Sequence, residues 1–263
     1  MSLMNCFNLL VYCYLIFSPN VFAAKEVSNA ISVIDLYPWG HSPANPQGIV
    51  PEFLQLLSEE TDTMYQAIIK PYARVESDLR HGKTEFSVLA GGANNREDYV
   101  VPGPVIYELN FGIIVRNDSD INSLHDLVGA HIAIMNGLKL SDCFNFTEFK
   151  PSFVTNCHSQ ITEFYRVPVL NYHRGLMMLD AGRVKGVIVS NSTIKRHLRN
   201  LKPEEKLSNI DEYSDILELE KVPVQVIYSK TSYNEKRVKK TNAAIDAMLN
   251  NGLRKKIRSV LNL

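Results

Sequence analysis

The sequence predicts an α/β fold in two lobes, each a mostly parallel sheet flanked by helices. Short runs of β-branched and aliphatic residues alternate along the chain with segments of helical periodicity, which is typical of strands connected by helices. This alternation restarts after Asp118-Ser119-Asp120 without a low-complexity linker. We therefore expect two α/β units joined by strands that cross between them, with a cleft between the units where a small ligand can sit.

The first unit begins with a β-rich run at 31–36 that ends in the turn-prone Pro38-Trp39-Gly40. A helix is predicted from Ile49 onward, because apolar residues recur there at helical spacing and Pro51 is tolerated in a first turn. The next predicted elements are a strand, a helix and a strand, at 66–69, 75–80 and 86–90. Gly91-Gly92 ends the last of these strands.

The second unit shows the same alternation but contains a long irregular part. Two further strands, predicted at 105–107 and 111–115, precede this unit. Its own predicted elements are a short helix, a strand, a helix, a strand and a helix, at 121–127, 131–135, 169–179, 186–189 and 194–201. Residues 139–166 are rich in Phe, Asn, Ser and Thr and are expected to be irregular. A strand at 222–228 follows, and two amphipathic helices, at about 234–250 and after Gly252, end the chain.

Residues 1–24 carry no charged side chain, and 9–17 form an unbroken apolar run. Nine helical residues span about 14 Å, which is well short of a bilayer core. We interpret residues 1–23 as a secretory signal peptide cleaved after Ala23, although the segment lacks the usual Lys or Arg. The alternative is a short membrane anchor or a buried strand. A cleaved signal indicates export.

Removal of the signal leaves Cys143 and Cys157 as the remaining cysteines. An even pair in an exported chain predicts one disulfide. A metal site that includes the neighbouring His158 and a pair of free thiols are the alternatives. No CxxC motif or second close pair supports the metal site, so we expect no metal.

Composition excludes several classes of protein. Lys and Arg number 28, equal to Asp and Glu, so the chain lacks the basic excess of a dedicated nucleic-acid binder. A hydrophobic fraction of 45% with 21% charged residues excludes a disordered chain and a multi-span membrane protein. GxSxG, HExxH, Walker and GxGxxG motifs are absent. We therefore expect a binding protein that needs no cofactor rather than an enzyme. We also expect a monomer.

Specific segments resemble the extracytoplasmic solute-binding proteins of family 3, the type II periplasmic binding proteins that serve amino-acid ABC importers. Residues 79–96 read LRHGKTEFSVLAGGANNR and resemble the family's l.sGkyDaiiaGmtiTpeR stretch. Further segments resemble family motifs in the same order along the chain, at 37–39, 48–54, 99–112, 124–137 and 179–189. The resemblance covers nearly all of the chain after the signal, and it implies that the exported protein is periplasmic.

The resemblance implies that lobe 1 comprises 24–111 plus 223–263 and lobe 2 comprises 112–222, with crossing strands near 110–113 and 222–226. It also implies that Arg96 grips a ligand carboxylate, a task that suits the bidentate fork of a guanidinium. An ion pair with a nearby acid is the alternative for Arg96. The other residues implied at the ligand site are Tyr37, Trp39, Tyr72, Arg74, Ala90, Gly91, Gly92, Asn136, Gly137, Ser190 and Asn191.

The chain departs from the family pattern at three positions. Ala93 and Leu138 stand where the family has threonines, and Ser190 stands in place of an aspartate that accepts from the ligand's ammonium group. A standard α-amino acid is therefore in doubt, and another carboxylate-bearing solute, a short peptide or a modified amino acid fits equally well. Glu52 or Glu85 could supply a negative charge, but the sequence places neither in the cleft.

The predicted function is capture of a small polar solute, with an ABC permease or a membrane sensor as the partner. Two alternatives remain open. One is a periplasmic dehydratase-type enzyme on the same fold, which needs an acid in the cleft. The other is a ligand-free partner-binding module, which predicts a cleft that is filled or non-polar.

Overall fold

The computed structural model describes residues 29–93, 96–140, 152–153 and 163–261. The predicted signal peptide, Cys143 and Cys157 lie outside these residues, so the signal and the disulfide stay predictions. No helix of the described ranges combines the length and the apolar character that a membrane span requires.

We call lobe 1 the part that contains the N-terminal strands and the last two helices. Its elements are β1 (Asn29–Ile34), α1 (Ile49–Thr61), β2 (Tyr65–Lys70), α2 (Tyr72–Arg80), β3 (Phe86–Ala90), α5 (Glu235–Asn250) and α6 (Leu253–Leu261). Helix α1 buries Ile49, Val50, Phe53, Leu54 and Leu57, the apolar positions from which the sequence predicted it.

Lobe 2 is the middle part of the chain, and two long strands connect it to lobe 1. Its elements are β5 (Ala130–Met135), β6 (Ser152–Phe153), β7 (Glu163–Val169), α3 (Tyr172–Asp180), β8 (Gly186–Ser190) and α4 (Asn191–Arg199). The connecting strands are β4 (Val100–Ile114) and β9 (Ile216–Ser229), which pair antiparallel along most of their length. The predicted lobe boundaries fall inside or next to these strands and remain a prediction.

The sheets are mixed, whereas mostly parallel sheets were predicted. Among the described residues β1 pairs with β2, and a seven-stranded sheet has the order β3-β9-β4-β8-β5-β7-β6. The pairs β1–β2, β5–β7 and β5–β8 are parallel. The crossing strands β4 and β9 are antiparallel to each other. Strand β3 pairs antiparallel with the C-terminal part of β9, and β8 pairs antiparallel with the C-terminal part of β4. The crossing of two strands between lobes therefore accounts for most of the antiparallel pairing.

Four element predictions differ from the structure. The strands predicted at 105–107 and 111–115 are one strand, β4, which contains register shifts near Pro102, Val105 and Phe111. The helix predicted at 121–127 is a 3₁₀ turn over Leu124–Leu127. Strand β7 lies largely within the segment predicted to be irregular, and α3 begins three residues later than predicted.

Candidate functional site

Trp39 reaches from lobe 1 to lobe 2. It lies on the loop between β1 and α1, where the Ile49 and Val50 amides donate to the carbonyls of Pro38 and Trp39, at 2.9 Å each. Gly48 allows this close return, because a Cβ there would lie 2.6 Å from the Pro38 oxygen and its φ is +118°. The indole Nε1 donates to Thr193 Oγ1 of helix α4 at 3.2 Å. The loop thus holds the single tryptophan of the chain at the lobe interface.

Both lobes contribute to a small cavity next to Trp39. Its volume is about 20 Å³, which is room for about one water molecule. The side chains are mostly apolar, and they are Ile34, Leu36, Trp39, Tyr72, Val88, Ala90, Leu109, Phe111, Met135, Leu138, Ser190, Thr193 and Val224. No carboxylate of the described residues belongs to this lining.

The polar groups of the cavity wall bond to each other. Ser190 Oγ donates to Thr193 Oγ1 at 3.1 Å, and the Ser190 amide donates to the Tyr172 hydroxyl at 3.2 Å. The Tyr72 hydroxyl donates to the Ala90 carbonyl at 3.0 Å. Burial raises the pKa of the Tyr72 hydroxyl well above its ordinary value, so this group stays protonated as a donor.

Arg96 lies beside this cavity and is only 1% exposed. Its Nε donates to Glu76 Oε1 at 2.7 Å, and its Nη1 donates to the Gly92 carbonyl at 2.7 Å. Its Nη2 donates to the Tyr72 hydroxyl at 3.2 Å and to the carbonyl of Gly137 in lobe 2 at 3.4 Å. We call Arg96, Glu76, Tyr72, Gly92 and Gly137 the Arg96 cluster.

The Arg96 guanidinium is charged in this environment. Burial alone would lower its pKa, but the neighbouring Tyr72, Glu76 and Tyr99 outweigh burial and raise the pKa above its ordinary value. A buried cation needs a counter-charge and hydrogen-bond acceptors. Glu76 supplies the first, and the carbonyls of both lobes supply part of the second.

Glycines let the two lobes approach each other beside Arg96. A Cβ at Gly91 would lie 2.1 Å from the carbonyl oxygen of Lys139 in lobe 2. A Cβ at Gly137 would lie 2.8 Å from the Tyr72 ring of lobe 1. Both glycines also have positive φ, +81° and +93°, which other residues rarely adopt. The predicted glycines therefore lie at the lobe contact, where they bring the two backbones together.

The remaining predicted site residues lie in other places. Tyr37 accepts from Arg196 Nε at 3.0 Å on the outer edge of the lobe contact, and Arg74 is exposed on α2. The Asn136 amide donates to the Val169 carbonyl, and Asn191 Oδ1 is shielded from solvent without a hydrogen-bond partner among the described residues. Glu52 and Glu85, considered as sources of negative charge, pair with Lys256 and Arg237 instead.

Sequence reasoning missed Glu76, Thr193 and Arg196. Glu76 follows Tyr72 by four residues in helix α2, so the two share one helix face, and a site prediction for Tyr72 could have drawn attention to it. Thr193 follows Ser190 by three residues in the first turn of α4. Nothing in the sequence alone indicates that Arg196 reaches Tyr37, because that contact depends on how the lobes meet.

No family model and no curated protein matches the chain, but solved structures do. A histidine kinase sensor domain with similarity to periplasmic binding proteins has a TM-score of 0.67 and 13% identity, over 89% of this chain and 96% of that one. The BvgS VFT2 domain of Bordetella pertussis, as a double mutant, has a TM-score of 0.66 and 16% identity, over 89% and 91%. An ancestral arginine-binding protein bound to arginine has a TM-score of 0.65 and 17% identity, over 88% and 97%.

The solved structures that match include the substrate-binding protein of an amino acid ABC transporter as well as sensor domains. At such identities the likeness shows the fold and leaves the ligand open. The predicted resemblance is confirmed at this level: the chain has the two-lobed α/β fold of the periplasmic binding proteins.

Proposed function

We propose that the protein is an exported binding protein that holds a small solute between its two lobes, for import through an ABC permease or for sensing at a membrane. The observation that carries the proposal is the cavity that both lobes line, with Trp39, Tyr72 and Ala90 on one side and Leu138, Ser190 and Thr193 on the other. In two-lobed folds, closure around such a site removes the ligand from water.

The lining favours a solute that is neutral and mostly apolar. The polar groups of the wall are already bonded to each other, and an uncompensated charge brought into an apolar cavity is strongly unfavourable. The predicted carboxylate contact with Arg96 would have to compete with Glu76, which lies 2.7 Å from Nε. We therefore propose a solute without a free carboxylate in place of an α-amino acid.

The lobes must separate for such a solute to enter. A cavity of about 20 Å³ holds little more than one water molecule, so the bound state would be more open than the arrangement described above. This supports a binding cycle in which the solute enters between Trp39 of lobe 1 and Thr193 of lobe 2 and replaces their hydrogen bond.

A thermal-shift and Trp39-fluorescence screen tests the proposal. The panel contains neutral alcohols, amides and aromatics together with amino acids and organic acids. We expect a neutral solute to raise the melting temperature, because a ligand at a hundred times its Kd stabilises by about 2.7 kcal/mol. Leu138→Phe adds a volume close to that of the cavity and should abolish the response. Leu170→Phe is the matched control, since Leu170 is 64% exposed, and it should leave the response intact.

The same small cavity favours a second function, that of a ligand-free module which binds a partner with its lobes together. The chain itself supplies the contacts between lobes, including Trp39–Thr193 and Arg96–Gly137. A full panel without any thermal shift would contradict solute binding and support this module. The dehydratase-type alternative gains no support, since no carboxylate of the described residues lines the cavity.

A further inference from the structure

We propose that Glu76 is a built-in counter-carboxylate for Arg96, which lets the lobes close without an acidic solute and makes the cleft select against carboxylates. The closure part concerns the lobe contact alone. The selectivity part rests on the proposed solute-binding function.

The first step is that the hydrogen-bonding capacity of Arg96 is already used within the protein. Each guanidinium nitrogen already has an acceptor within 3.4 Å: Glu76 at Nε, the Gly92 carbonyl at Nη1, and the Tyr72 hydroxyl and Gly137 carbonyl at Nη2. A carboxylate binds a guanidinium best through two parallel N–H···O bonds along one edge. An incoming carboxylate would therefore have to displace Glu76 or a backbone carbonyl.

The second step concerns charge. The Arg96 side chain is 0% exposed and the Glu76 side chain is 17% exposed, so the pair is largely removed from water. A cation in such a place without a counter-charge is strongly destabilising. Glu76 belongs to helix α2 of lobe 1, as does Tyr72, so the counter-charge is present whether or not a solute is bound.

The third step connects the pair to closure. Arg96 Nη2 lies 3.4 Å from the Gly137 carbonyl of lobe 2, and Gly91 beside it packs on the Lys139 backbone. Contact with lobe 2 thus completes the burial of Arg96. Because Glu76 neutralises the guanidinium first, this burial needs no anion from outside.

Chemical rescue tests the inference. Glu76→Ala leaves a gap of carboxylate size beside Arg96, and formate or acetate can fill it. We expect E76A to lower the melting temperature by roughly 5–10 °C, as for a broken buried pair. Formate should restore a large part of this loss and return the Trp39 emission toward that of the wild type, while chloride at equal ionic strength should not.

Glu60→Ala is the matched control, because Glu60 is an exposed glutamate on helix α1. We expect E60A and the wild type to respond to formate no more than to chloride. Glu76→Gln keeps an acceptor for Nε without the charge, so its melting temperature should lie between those of the wild type and E76A. If E76A does not fold in plain buffer, its recovery by refolding in formate, against chloride, gives the same readout.

Two results would overturn the inference. One is a formate response of E76A that chloride reproduces. The other is wild-type protein that binds formate, acetate or an amino acid in a way that Arg96→Gln abolishes, since Arg96 would then be open to solute carboxylates. A wild type that binds no neutral solute contradicts the proposed function instead, and it leaves formate rescue of closure unaffected.

Discussion

Arg96 and Arg196 both reach from one lobe to the other, and their surroundings differ. Arg96 belongs to lobe 1, is fully buried, and has a carboxylate at 2.7 Å together with carbonyls from both lobes. Arg196 belongs to helix α4 of lobe 2 and is half-buried. It donates to the Tyr37 hydroxyl at 3.0 Å and to the Val260 carbonyl of lobe 1, and these partners carry no charge.

The difference follows from solvent access. A cation that keeps contact with water needs no counter-ion, whereas a cation that loses it does. We call the contact that Arg96 makes with Gly137 the inner contact, and it includes the ion pair with Glu76. We call the contacts of Arg196 with Tyr37 and Val260 the outer contact, and water can replace their hydrogen bonds. Arg196 also lies over the Tyr37 ring at 5.4 Å. We expect the inner contact to dominate the stability of the closed arrangement.

Arg96→Leu should have the largest effect. It leaves Glu76 without its cation and removes the donor from two carbonyls, so we expect a loss of about 3–5 kcal/mol in the free energy of unfolding. Urea denaturation measures it. Arg96→Lys keeps the positive charge but not the planar guanidinium, so its free energy of unfolding should fall less than that of Arg96→Leu. A loss for R96L no greater than that of Arg196→Leu would remove the distinction between the two contacts.

Gly91→Ala should have the next largest effect, because its Cβ would overlap the Lys139 carbonyl at 2.1 Å. The lobes would have to separate at the inner contact, which small-angle scattering would detect as a larger radius of gyration. Gly129→Ala is a close control. Its φ is +71° against +81° for Gly91, and nothing lies within 4 Å of its added Cβ. Equal radii for the two variants would show that the clash does not separate the lobes.

The sequence predicted the fold well because the spacing of apolar residues shows which face of each helix or strand is buried. Its errors lie where neighbours in space decide the structure. Strand β7 contains Arg166 and Pro168, which weaken a strand signal, yet it pairs with both β5 and β6. Strand β4 was divided in two because Glu108 and Asn110 interrupt its apolar run. Its predicted start at Val105 was too late because Pro102, Gly103 and Pro104 precede it, and the structure accommodates these residues at a register shift between Pro102 and Val105.

The same reason explains which residues of the candidate site could be predicted from the sequence and which could not. Arg96 could be found from the sequence because its segment resembles a family motif, and an ion pair was the alternative considered for it. Its partner could not be found, because Glu76 lies twenty residues earlier and only the packing of helix α2 brings the two together. The contact of Arg96 with a ligand carboxylate stays a prediction of the resemblance, and the proposed role of Glu76 opposes it.

Thr193→Val tests the apolar side of the lobe contact and should have an intermediate effect. The substitution keeps the shape but removes the acceptor of the Trp39 indole and of the Ser190 hydroxyl. A buried donor left without a partner costs about 1–3 kcal/mol. The loss of this hydrogen bond should change the Trp39 emission and also lower the free energy of unfolding in urea denaturation. Thr231→Val, at an exposed threonine, should change neither, and an identical response of both variants would exclude the Trp39 bond as the cause.

Arg196→Ala should cost about 1 kcal/mol, the usual contribution of a partly exposed hydrogen bond. The variant loses its bonds to Tyr37 and Val260, and water can take the place of the guanidinium. Lys195→Ala, at the exposed neighbouring position, serves as the baseline in the same denaturation series. A loss for R196A as large as that for R96L would mean that the outer contact is as essential as the inner one.

Acidification should have the smallest effect and should act within lobe 2, where His197 of α4 lies near His173 of α3. His197 follows Arg196 in α4, and its Nε2 is shielded without a hydrogen-bond partner in the described part of the chain. Burial lowers the pKa of His197, nearby His173 lowers it further, and Glu205 opposes them. The unfolded state therefore binds a proton more readily, so stability is complete above about pH 6.5 and falls as the pH drops below that value. His197→Gln should flatten the dependence of the melting temperature on pH between about 5 and 7, and His125→Gln, at an exposed histidine, should not. A pH profile that H197Q leaves unchanged would assign the acid sensitivity to other groups.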